Sequence, residues 1–276
     1  MVVKIVTDST SDISPEVASA FGITVVPVYV RFGDEVYKDG VDISKDDFYQ
    51  KLLSSPVYPS TSQPTPQDFA SAYSNYSEQI DGIVSIHVSA KISGTYNSAL
   101  QGKKMTNEKC QIEVIDSRFA SVGLALVAIA AARAANAGGS LPEIVQETHR
   151  AISQVRMLGI LNTMKYLVLG GRISNAIISV AKVINVKPLL TFKDGEIVRA
   201  GLVRTFTQGF HRLYEFVKSD INIQDLAIAY GGVPDQANLL KTNLSSIIPE
   251  EKILLTQLGA GLGAHTGPEV LLIALR

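Results

Sequence analysis

The residues best placed to do chemistry are hydroxyls gathered where an apolar run ends. The stretch from Ile83 to Val88 is strand-like and gives way to Ser93-Gly94-Thr95, which opens a predicted helix. In alternating α/β folds, ligands settle just past the carboxyl ends of the strands. There the first free N–H groups of a helix meet side-chain hydroxyls, and together they seat an anion. Ser93 or Thr95 would cap the helix, and Gly94 would let a ligand approach the backbone. An ordinary capped helix start is the plainer account of the same residues.

Further clusters carry groups suited to the same task. Thr61-Ser62-Gln63-Pro64 offers two hydroxyls on a proline-stiffened loop, which loses less entropy when it grips a ligand. A surface loop capping the next helix is the alternative. Gly170-Gly171-Arg172 carries a guanidinium able to pair a carboxylate or phosphate bidentately, or is simply a surface arginine after a helix stop. The segment from Gly259 to Pro268 sets His265 in a glycine-rich turn beside backbone N–H groups, or is a plain connection with His265 incidental. Thr7-Asp8-Ser9-Thr10 closes the first strand and reads first as turn and cap chemistry.

Several reaction classes fit poorly. Asp8 superficially resembles the nucleophile of an aspartate phosphotransferase, but the second aspartate of such enzymes is missing. The glycines near His265 lack the G-K-[ST] ending of a phosphate loop. A Ser93–His265–Asp triad stays open as an acyl-hydrolase alternative, yet no G-x-S-x-G elbow surrounds Ser93. His87, His149 and His211 show no metal-ligand spacing and read as strand or helix-surface residues, and the single Cys110 excludes an internal disulfide or a cysteine-cluster metal site.

The elements that must position these groups follow from periodicity and punctuation. The first half alternates: strands at 2–6, 23–30, 83–88 and 112–115, and helices opened by Ser14-Pro15, Ser44 and Thr65-Pro66, then near 95–106, 120–137 and 141–155. A short hairpin is expected around Val36-Tyr37. This order argues for a mainly parallel sheet with helices on both faces. The second half mixes hairpins and helices. Strands at 188–192 and 196–203 flank Lys193-Asp194-Gly195. A helix at 208–218, a strand at 226–230, a helix at 236–247 and strands at 253–257 and 270–274 follow. The fold class is therefore α/β with two domains, 1–158 and a smaller α+β domain at 159–276 with a mostly antiparallel sheet.

The bulk properties narrow the partners. The 276 residues are 46% hydrophobic with a formal net charge of -1, a pI near 6.4 and a mean hydropathy of +0.19. No basic excess favours a nucleic-acid partner, and the generous interior leaves room for an apolar ligand. The uncharged run from Phe119 to Ala132 is shorter than the roughly 20 residues a bilayer span takes. Its small residues suit a helix packed tightly on a sheet. With no basic leader before the first strand, a cytoplasmic protein is expected.

Taken together, T-D-S-T-S-D (7–12), T-S-Q-P-T-P (61–66), I-S-G-T-Y-N-S-A (92–99), G-G-R-I-S (170–174) and H-T-G-P (265–268) resemble the DegV family. Each motif is weak alone, but five in order across nearly the whole chain are specific. The resemblance implies two domains with a long-chain fatty acid buried between them, and no cofactor. It implies a carboxylate held by Thr61, Ser62, Ser93 and Gly94, with Arg172 and His265 completing the polar network. It further implies a non-catalytic lipid-binding protein that presents its ligand to the catalytic subunit of a fatty-acid kinase, for phospholipid synthesis, with transient contact at a membrane surface. Two departures stand out: Glu269 follows Pro268 where the family usually has glycine, and Ala90-Lys91 precede I-S-G-T where serine and leucine are common. Glu269 is expected to reshape the turn after His265.

Overall fold

A computed structural model describes residues 2–76, 80–106, 110–172, 186–220 and 222–276. Ile173 and Ser174 of the fourth motif lie outside the described residues.

Strands β1 (Val3–Asp8), β2 (Ile23–Val26), β6 (Gly82–His87) and β7 (Gln111–Asp116) form an all-parallel sheet in the order β2-β1-β6-β7. Helices α1 (Pro15–Phe21), α5 (Ser121–Asn136) and α6 (Leu141–Gln154) cover one face, and α3 (Pro66–Ser74) and α4 (Thr95–Met105) the other. Three of the helix starts read from sequence hold in detail. Ser14, Ser44 and Thr65 each accept an N–H from the first turn, and Thr65 and Asp68 close a reciprocal capping box, which satisfies donors that the helix itself leaves free.

The second sheet contains β8 (Arg156–Leu161), β9 (Lys187–Lys193), β10 (Glu196–Val203), β11 (Leu226–Tyr230), β12 (Ile253–Gln257) and β13 (Val270–Leu275), in the order β10-β9-β8-β13-β11-β12. Only the β11–β12 pairing is parallel. Asp194 and Gly195, both at positive φ, make the two-residue turn of the β9–β10 hairpin. Helices α8 (Phe206–Lys218) and α9 (Pro234–Leu244) pack on one face of this sheet. The division expected after residue 158 falls inside β8, all six residues of which pair with β13.

Helix α5 lies between the two sheets. Its residues from Ser121 to Ala132 are all buried, touching β1 and β6 on one side and β11 and β13 on the other. A helix covered all round needs no polar face, which is why this stretch reads as an unbroken apolar run.

Three local expectations are corrected. The run 23–30 is two strands rather than one. Pro27 lies between β2 and β3 (Tyr29–Phe32), and β3 joins β4 (Glu35–Lys38) and β5 (Ser60–Ser62) in a separate antiparallel sheet. Proline has no N–H for a central ladder. The Thr61-Ser62 segment is accordingly a short strand paired with β3, not a loop. The glycine-rich stretch near His265 is a buried helix, α10 (Ala260–Thr266). Helix propensity opposes it, but packing demands small residues: a Cβ at Gly263 would stand 2.5 Å from Phe48 Cε1.

Candidate functional site

Four segments converge where the parallel sheet ends. The loop after β6 brings Ser93 and Gly94, β5 brings Thr61 and Ser62, and α7 (Lys165–Gly170) is followed by Arg172. Helix α10 brings His265. All six line one cavity of about 320 Å³, along with Thr10, Gln63, Lys91 and Asn97. Ser62, Gln63, Asn97 and Arg172 are exposed at its rim, and Ser93 and Thr61 are half-buried.

The Thr61 and Ser93 hydroxyls are held in place. Thr61 Oγ1 lies 2.7 Å from His265 Nε2. Ser93 Oγ accepts the Thr95 N–H at 3.3 Å and sits 2.9 Å from Thr95 Oγ1. Gly94, not Ser93 or Thr95, occupies the cap position of α4, and no side chain caps that helix. The space over Gly94 is taken by an amide, because a Cβ there would stand 2.8 Å from Gln63 Nε2. The glycine therefore admits Gln63, a residue that sequence reading quoted within a motif but did not single out.

His265 is 9% exposed, and its Nδ1 has no hydrogen-bond partner among the described residues. Burial, and then the Arg172 guanidinium, push its pKa down from 6.5 to about 4, so the ring is neutral at physiological pH. Gly170 backs it closely; any Cβ at 170 would overlap Nδ1. The Arg172 guanidinium donates to the Gly170 carbonyl at 2.6 Å. The cavity thus presents hydroxyls, a neutral imidazole and two cations, Arg172 and Lys91. A carboxylate entering it would meet donors and a counter-charge without a competing anion, as a desolvated charge requires. Glu269 leaves this arrangement intact. The Asn162 side chain donates to its carboxylate, and the Asn162 N–H donates to its carbonyl at 2.9 Å.

Two buried carboxylates aim α10, and sequence reading missed both. Asp12 accepts the Gly259 N–H at 2.7 Å and the Ser121 hydroxyl at 2.6 Å. Asp39 accepts the Ala260 and Gly261 N–H groups at 2.8 and 3.2 Å and the Ser9 hydroxyl at 2.9 Å. Lys45 donates to the Gln257 carbonyl at 2.5 Å. Burial raises Asp12 to about 7 and raises Asp39 as well, with Lys45 and the hydrogen bonds opposing. The N–H groups of Gly259, Ala260 and Gly261 at the start of α10 are therefore already satisfied, and Asp12 and Asp39 grip the helix that carries His265.

An Asp–His–Ser chain also exists, away from the cavity. His87 Nδ1 lies 3.0 Å from Asp8 Oδ2, Ser85 Oγ lies 2.7 Å from His87 Nε2, and Tyr73 OH lies 2.8 Å from Ser85 Oγ. All four side chains are 0% exposed, so no substrate reaches the serine. What the chain does is orient Asp8, which caps Ser9–Ser11 by accepting the Thr10 N–H and hydroxyl at 3.1 and 2.5 Å. Ser93 and His265 meanwhile engage Thr95 and Thr61.

A second cavity adjoins the first. It is about 80 Å³, and its walls include Met157, Leu161, Leu190, Phe192, Ile197 and Leu272 of the second sheet. Ile92, Arg172, Leu262 and His265 line both cavities, so a polar chamber and an apolar one share a wall.

A model of the DegV family, described as an uncharacterised protein family, matches residues 2–276. The chain belongs to the DegV family. A DegV domain-containing protein of Caldanaerobacter subterraneus is 33% identical over 270 residues, covering 97% of this chain and 96% of its own length. The DegV structure from Thermus thermophilus, described for its fatty-acid binding, superposes with a TM-score of 0.90 at 31% identity, covering 100% of this chain and 99% of that one. A stearic acid-binding protein from Eubacterium ventriosum gives 0.90 at 28% identity, covering 99% and 98%. The DegV fold, with its parallel first sheet and mostly antiparallel second sheet, is thus shared along the whole chain. Among the described residues no helix is long and apolar enough to cross a membrane, and no group of side chains is arranged to hold a metal ion.

Proposed function

We propose that this DegV protein binds a long-chain fatty acid, with the carboxylate among Thr61, Ser62, Ser93 and Gly94, and the tail in the apolar cavity. The observation that supports this reading is the wall shared at Ile92 and Leu262, with a hydroxyl-lined chamber on one side and a cavity lined mostly by aliphatic and aromatic side chains on the other. Each methylene removed from water gives about 0.8 kcal/mol, so a long tail supplies roughly 10 kcal/mol gross, much of it offset by ordering and association. Burial of the tail sets affinity. The polar chamber sets orientation, with Arg172 as counter-charge and the neutral His265 steadying Thr61.

The chain itself is non-catalytic on this reading. The Ser93 and His265 pairing of an acyl hydrolase is not formed, and the Asp8–His87–Ser85 chain is sealed. The carboxylate would lie beneath the exposed rim of Ser62, Gln63 and Arg172, where a separate ATP-dependent kinase subunit could phosphorylate it, loading and unloading taking place in transient contact with a membrane surface. The test is acyl-phosphate formation from ATP and oleic acid with this protein alone, a fatty-acid kinase subunit alone, and both together. Product is expected only from the pair. Turnover by this protein alone would contradict the non-catalytic assignment, and no turnover from the pair would reduce the protein to a lipid carrier.

A further inference from the structure

The apolar cavity is smaller than the ligand proposed for it. At about 80 Å³ it takes only a handful of water-sized or methylene-sized groups, far fewer than a long acyl chain carries. Some part of the wall must therefore give way. Met157, Leu161 and Leu272 are buried in the main core, and close-packed interiors do not yield without cost.

Phe192 differs from these neighbours. It is half-buried, and it alone among the described residues lines both the apolar cavity and a separate surface groove of about 630 Å³. Behind its ring there is open space rather than packed protein. The ring rests 5.8 Å from that of Phe119, centroid to centroid. Phe119, Ile115, Val145 and Ile152 give the groove an apolar floor continuous with Phe192, beside a charged margin at Glu113, Asp116 and Arg118.

We propose that Phe192 is the gate at the tail end of the fatty-acid site, and that rotation of its ring into the groove sets the longest acyl chain the protein accepts. This rests on the fatty-acid reading above. With the ring turned, the cavity and the groove join, and the end of a long chain lies on the apolar floor while the charged margin stays in water. Ile197, paired opposite Phe192 across the β9–β10 hairpin, also lines the cavity and remains as wall.

The experiment is a competition series against a fluorescent fatty acid, using saturated acids from dodecanoic to docosanoic. Wild-type affinity should climb with length and then break. In Phe192→Ala and in the more conservative Phe192→Leu the break should move to longer acids, each newly admitted methylene adding about fourfold. In Phe192→Trp it should move to shorter ones. A break at the same length in all folded variants overturns the gate and leaves the fatty-acid reading standing. If the wild type binds none of the acids, the fatty-acid reading fails and the gate with it.

Discussion

Leu262→Trp should reduce long-chain fatty-acid affinity by at least about a thousandfold while the protein stays folded. Leu262 is half-buried and lines both cavities, so an indole there would occupy cavity space that the tail must cross on the fatty-acid reading. Excluding only five methylenes forfeits about 4 kcal/mol, which is about three decades in affinity. Because the new side chain occupies empty space, the melting temperature should hold or rise. Isothermal titration with oleic acid, beside thermal unfolding of the apo protein, separates the two effects. Near-wild-type affinity in a folded Leu262→Trp variant would mean that the tail does not pass Leu262.

The second large effect belongs to the head group. Ser93→Ala removes a hydroxyl from the polar chamber and should cost about 1.5–3 kcal/mol if that hydroxyl bonds a carboxylate, which is one to two decades in affinity. Among the described residues the Ser93 hydroxyl contacts Thr95 N and Oγ1, so folding should change little. A Thr61/Ser62 double alanine variant should lose binding similarly, and it also releases the His265 Nε2 contact. Unaltered affinity in both variants would remove these hydroxyls from the anchor.

Much of this molecule was legible from local chemistry. Ser14-Pro15, Ser44 and Thr65-Pro66 start helices because their side chains satisfy the first-turn N–H groups, and that need is set within four residues. Asp194-Gly195 makes its turn for equally local reasons. The strand–helix alternation of the first half and the hairpins of the second gave away the two sheets. Each of the five motifs contributes at least one residue to the cavity wall, although none of the motifs was decisive alone.

What escaped reading was fixed by distant partners. Helix α10 contains two glycines in its seven residues and is flanked by Gly259 and Gly267, a composition that argues for a turn. It is helical because Asp12 and Asp39, more than two hundred residues away, hold its first N–H groups. Neither aspartate has a neighbour in sequence that hints at this task. The strand through Pro27 failed for the opposite reason: the apolar pattern continued, but the backbone donor did not. His87 looked like a surface residue until β1 and β6 paired and set it against Asp8.

The central claim is that the adjoining cavities hold a fatty acid, and native mass spectrometry of the protein purified without detergent tests it most directly. The account predicts a complex heavier than the chain by the mass of one long-chain fatty acid, released on organic extraction, and absent or strongly depleted in Leu262→Trp prepared the same way. A folded wild-type protein that carries no lipid, and whose melting temperature does not rise when oleic acid is added, would contradict it.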